Sequence, residues 1–460
     1  EVRDAAALDI FKKSQTKTYA NDAAGVKDAK MDFEKAKRDG AQAGIADTIK
    51  DCKAAKKSDV ECEADSRAAL SEALGLEDGK KDSDEFKVKY ERYKKDSAAR
   101  AATDALKLRV EAMKGALTGG EQLTDDKIKD EAEKYLKESL GMAADAEMPK
   151  MDREKHLSKM AEREATSELD ACVSTAADDE DAKKACLVSA REAASTAMGR
   201  AETISELEFQ DKVLANTNKE RAAEVVAEAT ATNLDKTERV KRVKEAIQKL
   251  NPDKSISDTK ARRFIEQGAV AAVKDAFEAV DAAASGKTAE QKDELLKDAI
   301  AEATGKDATK LKRKDVQKYR KEAAVDEMAA TFSDCKSAGV ADCAVNAKEA
   351  LKKSLGRTTA VTSTELNRYR RKAAMAKVAS LQSACVDTNT TESTCKTQLK
   401  AKIKELTGKD VDETGLKKIV RKGAEGAARE FMSSCGGAAR EVYEASSNVT
   451  AAKTALRAAL

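Results

Sequence analysis

The feature that most constrains this chain is a short phrase that recurs along it, a helix-favouring run closing on Gly or Asn. Residues 67–75 read Arg-Ala-Ala-Leu-Ser-Glu-Ala-Leu-Gly, and residues 347–356 read Ala-Lys-Glu-Ala-Leu-Lys-Lys-Ser-Leu-Gly. The stretches 135–141, 193–199, 299–305 and 402–408 vary the theme, and 244–251 does so with Asn last. Gly and Asn most readily take the left-handed conformation that ends a helix. Each phrase therefore predicts a stop, at Gly25, Gly75, Gly141, Gly199, Asn251, Gly305, Gly356 and Gly408, spaced 50, 66, 58, 52, 54, 51 and 52 residues apart. Five residues before each stop, or four before Asn251, an Ala, Leu or Ile falls on one helical face.

The expected architecture is all-α: tandem helical-hairpin repeats, an α-solenoid or an elongated rod, of about eight units of 50–66 residues. The units are 26–75, 76–141, 142–199, 200–251, 252–305, 306–356, 357–408 and 409–460. Residues 1–25 read as the back half of a preceding unit. The last unit ends at Leu460, one residue short of an expected Gly, so the chain reads as a segment of a longer array. Within 357–408, Thr362 and Glu365 form a capping-box pair. Leu366, Tyr369, Ala373 and Ala376 then follow at helical spacing, and a second helix carries Cys395, Leu399, Ile403 and Leu406. Val316, Tyr319, Ala323, Met328 and Phe332 repeat the first stripe one unit earlier, and these aromatics are expected in the core. The pattern leaves two arrangements open, stacking side by side or end to end.

Composition supports long helices. Aromatics are 3%, Trp is absent, only 2 Pro occur, and charged residues make up 37%. Ala supplies much of the apolar content. It buries little area but lets helices approach closely, which suits a thin layered stack better than a thick globule. Lys plus Arg number 86 against 84 acidic residues, a balance that gives no field for nucleic acid. No apolar run is long enough to span a membrane.

Nine cysteines follow the repeat. Cys62, Cys186, Cys343 and Cys395 each lie thirteen residues before a closing Gly, and Cys52, Cys172, Cys335 and Cys385 fall where the first helix of the same unit ends. The units closing at Gly141, Asn251 and Gly305 contain neither member. Core filler has no reason to vanish in pairs, whereas half a disulfide is useless. The pairs are therefore expected to be disulfides, Cys52–Cys62, Cys172–Cys186, Cys335–Cys343 and Cys385–Cys395, each constraining the unfolded unit by roughly 2–3 kcal/mol. Reduced core thiols or zinc sites are the competing readings. Each pair, however, is isolated, lacks CxxC spacing and has no His nearby. Cys435 is left unpaired or bonded outside the segment, since Asn448 holds its partner's position. Asn389-Thr-Thr and Asn448-Val-Thr are glycosylation sequons, Asn389 in the loop between two cysteines.

The chain has one histidine, His156, expected at a solvated or flanking position, so a two-His metal site and HExxH are excluded and a histidine-based triad is crippled. No phosphate-cradling glycine motif occurs. The acidic runs at 178–181 and 410–413 lack EF-hand spacing and read as helix-start acids. No catalytic residue, metal site or cofactor is expected. The expected role is structural: a segment of a very long secreted or cell-surface tandem-repeat protein forming a filament, an appendage such as a flagellar hair, a stalk or an extracellular coat. Its expected partners are other proteins or further copies, with N-glycans and without nucleic acid. The alternative is a cytosolic scaffold that binds a partner protein.

Overall fold

A computed structural model describes residues 8, 11–12, 23–76, 83–116, 124–140, 142–143, 145–176, 179–252, 255–283, 286–357, 359–388 and 390–434. Long and short helices alternate along them. The long ones are α1 (Ala23–Ala54), α3 (Asp84–Ala116), α5 (Lys150–Ala176), α7, α9 (Asp258–Ala283), α11 (Arg313–Ser337), α13 (Ser363–Asp387) and α15 (Glu413–Ser434). Helix α7 is continuous through Glu206–Glu208, a π-helical Phe209–Leu214 and Ala215–Ala231. The short ones are α2 (Asp59–Ala73), α4 (Asp125–Ser139), α6 (Glu180–Ala197), α8 (Lys236–Leu250), α10 (Ala289–Thr304), α12 (Cys343–Ser354) and α14 (Glu392–Thr407). No strand occurs among the described residues, so the chain is an all-α helical-repeat protein.

Local chemistry sets the ends of the short helices. Each begins on a side chain that accepts from a first-turn backbone N–H: Ser58, Thr124, Asp179, Asp235, Thr288, Asp342 and Thr391. The expected Thr362–Glu365 box closes in both directions, at 3.2 Å each way. In the acidic runs, Asp179 and Asp412 accept from backbone N–H groups at helix starts. At the other end, Gly75, Gly199, Gly305, Gly356 and Gly408 all have φ between 60° and 70°. Leu70, Leu136, Ala194, Ile247, Ile300, Leu351 and Ile403, the residues expected on the buried face before each stop, are fully buried.

Two expected stops differ. Gly25 lies in the first turn of α1 instead of ending a helix. Asn251 ends α8 at φ −129°, outside the left-handed region. It caps with its side chain: the buried amide donates to the Ile247 carbonyl and to Asn218 Oδ1, both at 2.9 Å. Gly141 lies outside the described residues.

Each short helix packs on the long helix before it, and successive long helices pack side by side, from α1 on α3 through to α13 on α15. This is stacking, not an end-to-end string. A second set of contacts was not legible in the repeat: each long helix also meets the one three units on, α1 with α7, α3 with α9, α5 with α11, α7 with α13 and α9 with α15. The array therefore winds with about three units per turn, and the long helices of one turn rest on those of the next. Small residues permit the close approach of neighbouring long helices. A Cβ on Gly268 of α9 would come 2.5 Å from the Lys219 carbonyl oxygen of α7, and one on Gly423 of α15 would come 2.9 Å from the Met375 carbonyl oxygen of α13. The two glycines hold the same place, ten residues into their helices.

Candidate functional site

In a chain built of repeats, the groups that join helix to helix and unit to unit are the candidate functional residues. They are of three kinds.

The first are the cysteines. Cys52 and Cys62, Cys172 and Cys186, Cys335 and Cys343, and Cys385 and Cys395 lie at disulfide distance, with Cα atoms 5.4, 5.5, 5.6 and 5.9 Å apart. The sequence separations differ, at 10, 14, 8 and 10 residues, yet every pair joins the end of a long helix to the start of the short helix after it. The capping side chain that starts the short helix and the apolar stripe of the long one fix both ends, while the intervening loop varies freely. Cys435, Asn389 and Asn448 lie outside the described residues.

The second is a latch between neighbouring units. Arg320 of α11 lies with its guanidinium 4.6 Å from the ring centre of Phe277 on α9. It pairs with Asp293 of α10 at 2.9 Å, both side chains being almost wholly buried, and it reaches the Leu355 carbonyl at the end of α12. One helix thus contacts two units through cation–π attraction, a buried ion pair and a helix C-terminus. The next unit repeats the arrangement: Arg370 of α13 lies 4.6 Å from Phe332 and donates to the Leu406 carbonyl at 2.6 Å. Gly356 has no Cβ where one would strike the Arg320 guanidinium, which adds a second reason for glycine at that stop.

The third is the axis of the superhelix, which is polar. Lys95 of α3 and Lys155 of α5 both pair with Glu278 of α9. Lys159 pairs with Glu220, and its ammonium lies 3.8 Å from Asp96 and 4.0 Å from Asp275. Arg38 of α1 reaches Glu228 of α7 at 2.6 Å, Arg92 of α3 reaches Glu302 of α10 at 3.2 Å, and Lys274 reaches Glu327 at 3.0 Å. Burial alone would raise Glu224, but Arg38 and Arg221 outweigh it and hold that carboxyl at about 2. For Glu278, too, burial is overcome, by Lys155 and Lys95, and its pKa is lowered. Glu220 is raised, by burial and by the carboxylates Glu162 and Asp275 beside it. Burial pushes Asp334 up to about 6.

His156 takes the second of its two expected positions, flanking rather than solvated. It is half-buried on the wall of this axis, and burial with the adjoining Lys155 pushes its pKa down. Tyr319, Phe332 and Tyr369 are core residues, as expected. Sequence reasoning missed the axial charges because they look like any solvated helix charge. A weak signal was present: Lys219, Lys274 and Lys377 fall thirty-two, thirty-one and thirty-one residues before Asn251, Gly305 and Gly408, each on a long helix where alanines alternate with charge.

Among the described residues no cluster of metal-ligating side chains occurs, and no helix is long and apolar enough to cross a membrane. The chain matches no protein-family model, no curated protein and no solved structure.

Proposed function

We propose that the chain is a structural segment of a very long secreted or cell-surface tandem-repeat protein, one that builds a filament, an appendage such as a flagellar hair, a stalk or an extracellular coat. The observation that carries this reading is the placement of the four cysteine pairs at the same joint of four units, across loops of different length. Disulfides persist in oxidising compartments and are rare in the cytosol. A crosslink at the hairpin mouth strengthens a unit whose alanine-rich core buries little area, as prolonged exposure outside the cell demands. Repeated latches of the Arg320 kind pass load from unit to unit, and the partners on this reading are proteins or further copies of the same array, with N-glycans on the sequons.

The test is thiol alkylation of freshly isolated protein followed by mass spectrometry with and without reductant. The expected result is eight cysteines that react only after reduction. Alkylation of Cys52, Cys62, Cys335 and Cys343 without reductant would favour the cytosolic scaffold instead.

A further inference from the structure

The axis is not charged evenly along its length. Its first section, walled by parts of α1, α3, α5, α7, α9 and α10, carries seven basic and nine acidic side chains. The next section shares Arg92, Asp96, Lys159 and Glu220 with the first and carries seven basic and eight acidic side chains, His156 aside. In these two sections the charges compensate one another through the ion pairs described above. The third section shares Lys219, Asp326 and Lys377 with the second and opens between α7, α9, α11, α13 and α15. It has a volume of about 1080 Å³ and carries ten basic side chains against two acidic ones.

That excess has few partners. Among the described residues, only two of the ten cations have a carboxylate within ion-pair distance: Lys219, 3.9 Å from Asp326, and Arg313, which meets Glu290 and Asp293. Arg263 Nε is buried there with no hydrogen-bond partner. Burial, with Lys377 and Lys274 nearby, pushes Lys219 down in spite of Asp326. Between the cations the wall mixes apolar side chains, Phe264, Val270, Val325, Met375, Ala376 and Ala379, with the uncharged polar Gln210, Asn218, Asn251, Gln267, Gln317 and Ser380. A cavity that sets apolar surface beside converging cations suits an amphipathic anion.

We propose that this third section binds a long-chain fatty-acid anion, its alkyl tail along Phe264, Val270 and Met375 and its carboxylate among Lys219, Lys372, Lys377 and Lys422. The apolar part of the wall favours an alkyl chain over a bare anion, and the excess of cations favours a charged lipid over a neutral one. Eight of the ten cations are lysine, a flexible point charge that meets a mobile head group without the fixed fork geometry of arginine.

The test is displacement of a fluorescent fatty acid from the intact chain by oleate, oleyl alcohol, inorganic phosphate and a poly-glutamate peptide. Oleate is expected to compete with one-to-one stoichiometry. Oleyl alcohol should be weaker by about tenfold or more, and phosphate and the peptide should not compete. The exposed pair Lys372→Glu with Lys422→Glu should weaken oleate by about tenfold or more, and Ala376→Trp should block it, both with unchanged helical circular dichroism. Lys35→Glu, in the compensated first section, should leave oleate binding unchanged. The proposal is overturned if oleate does not bind, if the alcohol, phosphate or peptide competes as well as oleate, or if the two lysine reversals have no effect while the fold is kept.

Discussion

Replacing Arg320 with Met keeps much of the side-chain length and removes the charge. The Asp293 carboxylate would then lie in an almost fully buried position, 2.9 Å from where its cation had been. Stranding one member of a buried pair costs about 3–5 kcal/mol; the loss here should fall toward the lower end, because Asp293 keeps Arg313 Nε at 3.6 Å and the Gln317 amide at 3.2 Å. Loss of the Phe277 contact adds about 0.5–1 kcal/mol. Asp293→Asn should cost less, because Arg320 keeps Phe277 and the Leu355 carbonyl. Replacing both, Arg320→Met with Asp293→Leu, removes the stranded charge and should recover part of the loss, so the cycle gives a coupling well above additivity. In a linear array the damage is local. Urea unfolding should therefore be read alongside amide hydrogen exchange, with lost protection confined mainly to α9 through α12. The reasoning fails if Arg320→Met costs under about 1 kcal/mol or if the two single changes simply add.

The other expectations concern packing, pH and redox state. Gly268→Ala should destabilise the array by about 1–3 kcal/mol although Ala is the better helix former by about 1 kcal/mol, because its Cβ would strike the Lys219 carbonyl. Thermal melts of this variant check the sign, and a gain in stability would refute the close approach. Stability should peak near pH 5. As pH falls from about 8, Asp334 and Glu220, whose folded pKa values are raised, take up protons more readily in the folded chain and add stability. Below the ordinary carboxyl value of 4.5, Glu224, held at about 2 by Arg38 and Arg221, takes up its proton more readily in the unfolded chain, so that contribution is lost as pH falls toward 2. Melting temperature against pH checks both limbs, and a monotonic rise from acid to pH 8 would contradict them. Reduction should weaken the four cysteine-bearing units by roughly 2–3 kcal/mol each. Hydrogen exchange should then show α3–α4 and α7 to α10 less affected than α1–α2, α5–α6 and α11–α14.

What the sequence revealed and what it hid follow from the range of the interactions. Gly356 and Gly408 were legible because a positive φ is a property of one residue, and Leu351 and Ile403 because a buried stripe repeats at helical spacing within one element. The cysteine pairs were legible because both members keep their offset while the loop between them changes. Asn251 was recognised as an end but given the wrong mechanism: its role depends on Asn218, thirty-three residues away. Gly25 was misassigned because the same residue type also tolerates the first turn of a helix. The three-unit winding was hidden, since the rotation from unit to unit is set by the summed closeness of contacts such as Gly268 on Lys219 and Gly423 on Met375. So was the role of the axial charges, because Lys95 and Glu278 lie on helices three units apart and no local pattern joins them.

Zero-length carbodiimide crosslinking of the unmodified chain tests that winding most directly, because it joins only carboxylates and amines already in contact. The winding predicts crosslinked peptides uniting Lys95 with Glu278 and Lys155 with Glu278. Crosslinks confined to single hairpins and their immediate neighbours would contradict it.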